Sequence, residues 1–177
     1  MTIMYNGYGD HMKTIMTRAD IERTLRRMAH EIIEHNPDLS KVVLLGILKK
    51  GVIVARTLAG NLKRFSGVDV PVHDLDITPY RDDRLQGSKT HGDGWSVQGK
   101  TVILVDDVLF TGRSARAAMD AASDHGRPDF IELAILVDRG HRELPIRPDY
   151  VGMNVPTSLS EKVVVEPELE HVMIVQS

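Results

Sequence analysis

The chain has 177 residues, of which 42% are hydrophobic and 27% are charged, a balance typical of one globular domain. It contains no cysteine, which excludes disulfides and thiolate metal sites, and its 22 basic residues against 25 acidic ones neither indicate nor exclude a nucleic-acid partner. We find no apolar run of membrane-spanning length and no signal peptide, so we expect a cytoplasmic protein without a membrane partner.

The first twelve residues show no periodicity and end in His11-Met12, a pair typical of the junction that an expression vector leaves. We therefore assign residues 1–12 to a tag or disordered tail, and residues 13–177 to a single domain. From Asp20 onwards, apolar residues recur at helical spacing. This pattern predicts a first helix that Asn36-Pro37 ends.

The next elements alternate between strands and helices. Continuous β-branched runs predict buried strands at 42–47, 101–105 and 131–137, and a looser alternation marks 70–78. Helical spacing predicts a helix that reaches Phe65 and another over 114–123, which Gly126 follows as the residue after the cap. Three short β-like pieces lie near Tyr150, Val163 and Val172. This order predicts an α/β fold with a mostly parallel sheet flanked by helices.

Residues 80–100 are polar and rich in glycine, and they lack any period. Unstructured segments of this length within a compact domain are uncommon and are usually functional or disordered. We interpret this segment as a long surface loop and a candidate lid.

The segment VILVDDVLFTGRSARAAMDA, residues 102–121, carries the strongest chemical signal. Asp106 and Asp107 come where a predicted strand ends, the edge at which ligands bind in α/β sheets. Two adjacent carboxylates there are suited to accept hydrogen bonds from the two hydroxyls of a ribose. Thr111 to Ser114 then turn into a helix whose free N–H groups favour a phosphate. The alternative is an exposed acidic pair followed by an ordinary helix start.

This segment resembles the motif with which type I phosphoribosyltransferases bind 5-phosphoribosyl 1-diphosphate (PRPP). The resemblance implies that fold, with a small hood and a flexible β-loop. It implies that Asp106 and Asp107 are the catalytic carboxylates that hold the ribose hydroxyls. It also implies that Phe110 to Ser114 form a phosphate loop. The residues implied to bind PRPP or UMP are Asp106, Asp107, Val108, Leu109, Phe110, Thr111, Gly112, Arg113 and Ser114.

Three further segments resemble the PyrR family, whose members regulate pyrimidine operons and have uracil phosphoribosyltransferase activity. They are MAHEIIE at 28–34, LDITPYRDD at 75–83 and VDRGHRELPIRPDYVGMNVPTS at 137–158. The resemblance implies that uracil and PRPP give UMP and diphosphate. It also implies Mg²⁺ bound through PRPP rather than at a dedicated protein site, and a homo-oligomer.

The same resemblance assigns roles to three shorter groups of residues. It implies that pyrophosphate is bound at Lys49, Lys50 and Gly51, although this turn departs from the Thr-Arg-Gly pattern of the family, and solvated lysines are the alternative. It implies a lid that opens with Arg81, Asp82 and Asp83. The base is expected under the hood, where Arg139 is either a ligand or an ordinary loop arginine; this segment comprises Val137, Asp138, Arg139, Gly140 and His141.

The chain also resembles the 6-oxopurine branch, through LLGILKKG at residues 44–51. Purine enzymes commonly carry an aspartate at the position of Phe110, where it interacts with N7 of the base. A phenyl ring can neither accept nor return a proton. Position 110 therefore favours a pyrimidine, and a hypoxanthine or guanine enzyme remains the alternative.

The PyrR resemblance further implies binding to a hairpin in pyrimidine-operon leader mRNA, controlled by uridine nucleotides. Arginine suits RNA phosphates and stacked bases, and the implied residues are Arg26, Arg27, His30, Arg142 and Arg147. A solvated helix face is the alternative. The family commonly has Thr-Arg where this chain has Arg26-Arg27, and Lys where it has Met153. These two departures strengthen that alternative. A regulator with little catalysis is kept as a second hypothesis for the chain.

Overall fold

A computed structural model describes residues 3–5, 11–83 and 94–176, which form two sheets and three α-helices. The elements, in chain order, are β1 (Ile3–Tyr5), β2 (His11–Thr17), α1 (Arg18–His35), β3 (Val42–Ile47), α2 (Lys50–Ser66), β4 (Val72–Leu75), β5 (Thr101–Leu109), α3 (Arg113–Ser123), β6 (Phe130–Asp138), β7 (Tyr150–Asn154), β8 (Glu161–Val165) and β9 (His171–Gln176).

The larger sheet has the strand order β4-β3-β5-β6-β7, and every neighbouring pair is parallel. All six residues of β3 are buried. Because side chains alternate along a strand, Leu44 faces the core beneath α1 and α2, whereas Leu45 faces a second core formed with α3. The predicted parallel sheet covered on both faces is confirmed, and the C-terminal ends of its strands meet at one edge.

The smaller sheet is antiparallel, in the order β1-β2-β9-β8. Its strand β2 begins at His11 and pairs with β9 from Met12 onwards, while Ile3–Tyr5 pairs with β2. Part of the segment that we set aside as a tail is therefore in strands, because residues near the C terminus supply a partner that no local pattern reveals.

Helix α1 begins two residues before the predicted start. Thr17 caps it: the Thr17 Oγ1 accepts from the N–H of Asp20, and the Asp20 carboxylate accepts from the N–H of Thr17 at 2.9 Å. This reciprocal capping box satisfies amide groups that a helix end leaves free. Asn36 ends the helix, as predicted from the following Pro37.

The segment after the predicted lid packs against the sheet. Val97 is fully buried, and the Trp95 ring is stacked between His73 and His125, with ring centroids 4.6 and 3.7 Å away. The prediction of a surface loop up to residue 100 is wrong for these residues, and residues 84–93 lie outside the described part. Gly126 lies two residues beyond the cap of α3 at Asp124, so its predicted place directly after the cap is also wrong.

No helix within residues 3–5, 11–83 and 94–176 combines the length and the apolar character needed to cross a membrane.

Candidate active site

The two predicted carboxylates lie inside strand β5, which continues past its predicted end to Leu109. Asp106 pairs with Ile135 of β6. Its Oδ1 accepts the N–H of Asp107 at 2.9 Å, and the Oδ1 of Asp107 accepts the N–H of Val108 at 2.8 Å. Burial, and then the neighbouring Asp107 charge, raise the pKa of Asp106 well above its usual value. This carboxyl therefore has an unusually high cost of ionisation.

The phosphate loop turns from β5 into α3 through Gly112, whose φ of +93° lies in the left-handed region. A Cβ there would lie at ordinary contact distance, 3.4–3.6 Å, from Leu144 and Ile146, so it is the positive φ that favours glycine. The N-cap Gly112 has no side chain to cap α3, and the N–H of Arg113 donates to the Oγ1 of Thr111 at 3.3 Å. The first turn of α3 thus offers amide groups and the positive end of its dipole to an anion.

A first cavity of about 240 Å³ joins Asp106 to the phosphate loop. Asp106 lines it together with the whole loop and with the start of the predicted lid. Its lining residues are Ile47, Arg81, Asp82, Asp83, Asp106, Val108, Leu109, Phe110, Thr111, Gly112, Arg113, Ser114, Ala115 and Ile135. Asp106 of the predicted diol-binding pair and the predicted anion-binding turn therefore share one space.

A second cavity of about 460 Å³ adjoins the first and brings Lys49 and Lys50 to the carboxylates. Gly51 makes this approach possible. A Cβ at Gly51 would lie 2.4 Å from the carbonyl oxygen of Val105 and 3.1 Å from the Cα of Asp106. The first turn of α2 lies this close to β5 because residue 51 has no side chain. The structure thus places the predicted pyrophosphate turn beside the predicted diol site.

Ion pairs connect the start of the predicted lid to the phosphate loop. The Arg113 guanidinium donates through Nη1 to Asp82 and through Nε to Glu143, both at 2.7 Å. Arg81 forms a bidentate pair with Asp83, at 2.7 and 2.9 Å. Hydrogen bonds to Glu143 and Asp82 raise the pKa of Arg113 above its ordinary value.

The predicted base segment lies beside the first cavity rather than in its lining. Asp138, Arg139 and Gly140 line a third cavity of about 670 Å³, while Val137 is buried. The link to the phosphate loop is Phe110, because the Arg139 guanidinium lies 4.0 Å from the centre of its ring and the His141 ring meets it edge-on. The contact of the Arg139 guanidinium with the Phe110 ring is a cation–π interaction.

Arg139 itself is buried, with 6% of its surface exposed. It donates to the carbonyl of Ser158 at 3.1 Å, but its Nε finds no hydrogen-bond partner among the residues that the structure describes. Burial lowers the pKa of this guanidinium. A buried donor without a partner is costly, so Arg139 is suited to meet an acceptor supplied by a ligand.

The predicted RNA-binding residues form two groups. Arg142 and Arg147 line the third cavity, but Arg142 is also bonded to Asp138 and to the carbonyls of Phe110 and Ile146. On α1, Arg27 donates to the carbonyls of Val151 and Gly152 at the edge strand β7.

The other two predicted RNA-binding residues also lie on α1. His30 stacks on Phe65 of α2 with ring centroids 4.2 Å apart, and Arg26 is partly exposed. Because Val151 also lines the third cavity, the two groups approach each other at β7.

Sequence reasoning missed several residues at this edge. Asp76 and Thr78 line the second cavity with Asp106 and Asp107. They follow β4, so the strand-end rule that found Asp106 also applies to them. Glu143 had no such signal, because its partner Arg113 is thirty residues away.

The donor set at this edge suits a magnesium ion that a substrate brings with it. Hard carboxylate oxygens are present at Asp106 and Asp107, whereas no group of three or more potential metal-binding residues exists within the described residues. Mg²⁺ is usually held by one or two carboxylates together with substrate phosphates and waters. The residues present therefore fit that mode of binding.

The model of the phosphoribosyl transferase domain family matches residues 11–171. The chain is 52% identical over 160 residues to a protein of Enterococcus faecalis named bifunctional protein pyrR, covering 88% of this chain and 90% of that one. It is 51% identical over 154 residues to the bifunctional protein PyrR of Streptococcus pneumoniae, covering 87% and 89%.

Solved structures with the same fold include two hypoxanthine phosphoribosyltransferases. The Trypanosoma cruzi enzyme has a TM-score of 0.74 at 20% identity, with 93% of this chain and 96% of that chain covered. The Staphylococcus aureus enzyme has a TM-score of 0.72 at 20% identity, with 90% of each chain covered.

Proposed function

Because this chain belongs to the phosphoribosyltransferases and, among them, to the PyrR family, we propose that it converts uracil and PRPP to UMP and diphosphate. The observation that carries the proposal is the first cavity, where Asp106 and the phosphate loop line the same space. A ribose 5-phosphate has a diol at one end and a dianion at the other, and this cavity offers acceptors for the first and amide donors for the second.

The reaction needs alignment and charge stabilisation more than a nucleophile. The bond from ribose to pyrophosphate loosens first and leaves positive charge on the sugar, which the carboxylates of Asp106 and Asp107 stabilise. Lys49 and Lys50 neutralise the departing pyrophosphate in the second cavity. Magnesium bound through the PRPP phosphates supplies further positive charge to that leaving group.

The base is expected between Phe110 and the hood. The ring of Phe110 is exposed and lines the first cavity, and Arg139 lies against it with an Nε that has no partner among the described residues. A uracil carbonyl is an acceptor of the kind that this donor lacks. Phe110 has no group that accepts or returns a proton, which favours uracil over a purine at this position.

The direct test is a turnover assay with uracil, PRPP and Mg²⁺, in which UMP and diphosphate are measured together. We expect both products in equal amounts, and their loss when PRPP or Mg²⁺ is omitted. A protein that binds UMP but forms no product under these conditions would be a nucleotide-sensing regulator with little catalysis.

We propose as a second role that the chain binds a hairpin of pyrimidine-operon leader mRNA under the control of uridine nucleotides. The support from the structure is that two sets of arginines meet at strand β7. Arg27 donates to the carbonyl of Val151 there, and Val151 lines the third cavity together with Arg147. Arg27 also donates to two carbonyls there. Replacing it would therefore change the stability of the protein as well as its affinity for RNA.

The RNA test therefore uses Arg26→Ala combined with Arg147→Ala, and Arg127→Ala as a control on an exposed surface residue. Each lost phosphate contact should reduce the slope of log affinity against log salt by about 0.7–0.9. We expect a flatter slope for the double variant, an unchanged slope for the control, and uracil turnover retained in both. If the slope of log affinity against log salt is the same for the wild type, the double variant and the control, this role is contradicted.

A further inference from the structure

Arg113 of the phosphate loop is held by two carboxylates that come from distant parts of the chain. Its Nη1 donates to Asp82 and its Nε to Glu143, each at 2.7 Å. Arg116, one turn further along α3, lies 3.9 Å from the same Asp82 oxygen. The guanidinium that stands beside the predicted phosphate site is therefore already paired with anions of the protein itself.

The two carboxylates are attached to the loop in different ways. Glu143 is fixed by its backbone, because its N–H donates to the carbonyl of Thr111 at 2.9 Å and the N–H of Leu144 donates to the same oxygen. For residues 81–83, no backbone hydrogen bond to the phosphate loop occurs within the part of the chain that the structure describes. Asp82 reaches the loop through its side chain, so this contact can be exchanged while Glu143 stays in place.

The Asp82 carboxylate also lines the first cavity, together with Gly112, Arg113 and Ser114. A phosphate bound at the amides of that turn would share the cavity with this negative charge and would compete with it for Arg113. The Asp82 and Arg113 side chains are 41% and 46% exposed. Pairs this exposed are weak, so a dianion held by several donors can displace one of the carboxylates.

We propose that Asp82 is an internal competitor of the 5-phosphate: it occupies Arg113 in the empty site, and a bound phosphate takes its place and releases residues 81–83. The occupancy of the phosphate loop is thereby coupled to the position of the segment that opens the predicted lid. This inference rests on the proposed function, because it requires a phosphate at the loop.

The test compares binding of inorganic phosphate and of UMP to the full chain and to two single variants, by calorimetry. Asp82→Asn removes the competing charge. Asp69→Asn is the control, since it removes a carboxylate from another exposed ion pair, with Lys63, outside the lining of the first cavity. We expect Asp82→Asn to bind both probes about two- to fivefold more tightly, the range that an exposed ion pair supports, and Asp69→Asn to be unchanged.

A double-mutant cycle with Arg113→Gln gives a readout that a merely structural role would not move. In the Arg113→Gln background, Asp82→Asn should lose most of its effect, because the group for which Asp82 competes is gone. Equal or weaker binding by Asp82→Asn, or the same gain with and without Arg113, would overturn the competition. Failure of all proteins to bind phosphate and UMP would instead overturn the proposed function.

Discussion

The two ends of the five-stranded sheet each hold a carboxylate with little access to solvent, Glu132 buried and Asp106 partly buried, and the two differ in their neighbours. Where the strands begin, Glu132 accepts from the hydroxyl of Tyr150 at 2.7 Å and faces Asn36 and His35, both 3.4 Å away. Where β5 approaches its end, Asp106 has a second acid, Asp107, beside it. Donors surround the first carboxylate, whereas the second carries an electrostatic cost that the hydroxyls or cation of a ligand would offset.

From this difference we predict that Glu132 is a structural acid and that Asp106 is a functional one. Changes near Glu132 should lower stability and spare turnover, whereas changes at the Asp106–Asp107 pair should act mainly on turnover.

The largest expected effect is at the carboxylate pair. Asp107→Asn replaces a charged acceptor by a neutral amide, and loss of a charge-assisted hydrogen bond costs about 1.5–3 kcal/mol. We expect kcat/KM for PRPP to fall about 10- to 150-fold, as follows from a tenfold change per 1.4 kcal/mol, with an unchanged melting temperature. Wild-type turnover in this variant would remove the diol assignment.

A glycine pair within α2 sharpens the comparison. Gly51→Ala places a Cβ against the backbone of Val105, whereas Gly60→Ala meets nothing within 4 Å. Overpacking should lower the free energy of unfolding of the first variant by about 1–3 kcal/mol and displace Asp106. The second should gain up to about 1 kcal/mol, because alanine favours a helix. Both variants are measured by denaturant unfolding and by their affinity for PRPP. Equal stabilities of the two would contradict the close approach of Gly51 to the backbone of Val105.

At the opposite end of the sheet, Tyr150→Phe removes the donor nearest to Glu132 with little change in shape. A buried acceptor left unsatisfied costs about 1–3 kcal/mol, so we expect a lower melting temperature and normal uracil turnover. Tyr80→Phe is the control, because its hydroxyl bonds to the exposed Asp124 and should contribute less. A large loss of turnover in Tyr150→Phe would break the distinction between the two ends.

The smallest expected effect is on the pH dependence of stability. The pKa of Asp106 is raised in the folded protein, so the folded state holds a proton there that the unfolded chain releases. The free energy of unfolding of the wild type should therefore fall, relative to Asp106→Asn, as the pH rises from about 3.8 through the raised pKa. Urea unfolding of both proteins across this window measures the difference, and parallel curves would contradict the raised pKa.

Sequence reasoning succeeded where the information is local. The continuous apolar run at 42–47 predicted strand β3 residue for residue. The strand-turn-helix pattern around Asp106 located the first cavity. Each of these patterns lies within about twenty neighbouring residues. Long-range contacts were missed. The pairing of β2 with β9, the stacking of Trp95 between His73 and His125, and the anions around Arg113 all join residues far apart in the chain.

The measurement that tests the central proposal most directly is a competition among bases for PRPP. Uracil, hypoxanthine and guanine are supplied together at equal concentration with Mg²⁺, and the nucleotide products are separated and counted. Because Phe110 offers no proton acceptor for a purine, UMP should be the dominant product. Dominant formation of IMP or GMP would contradict the assignment of this cavity to a pyrimidine.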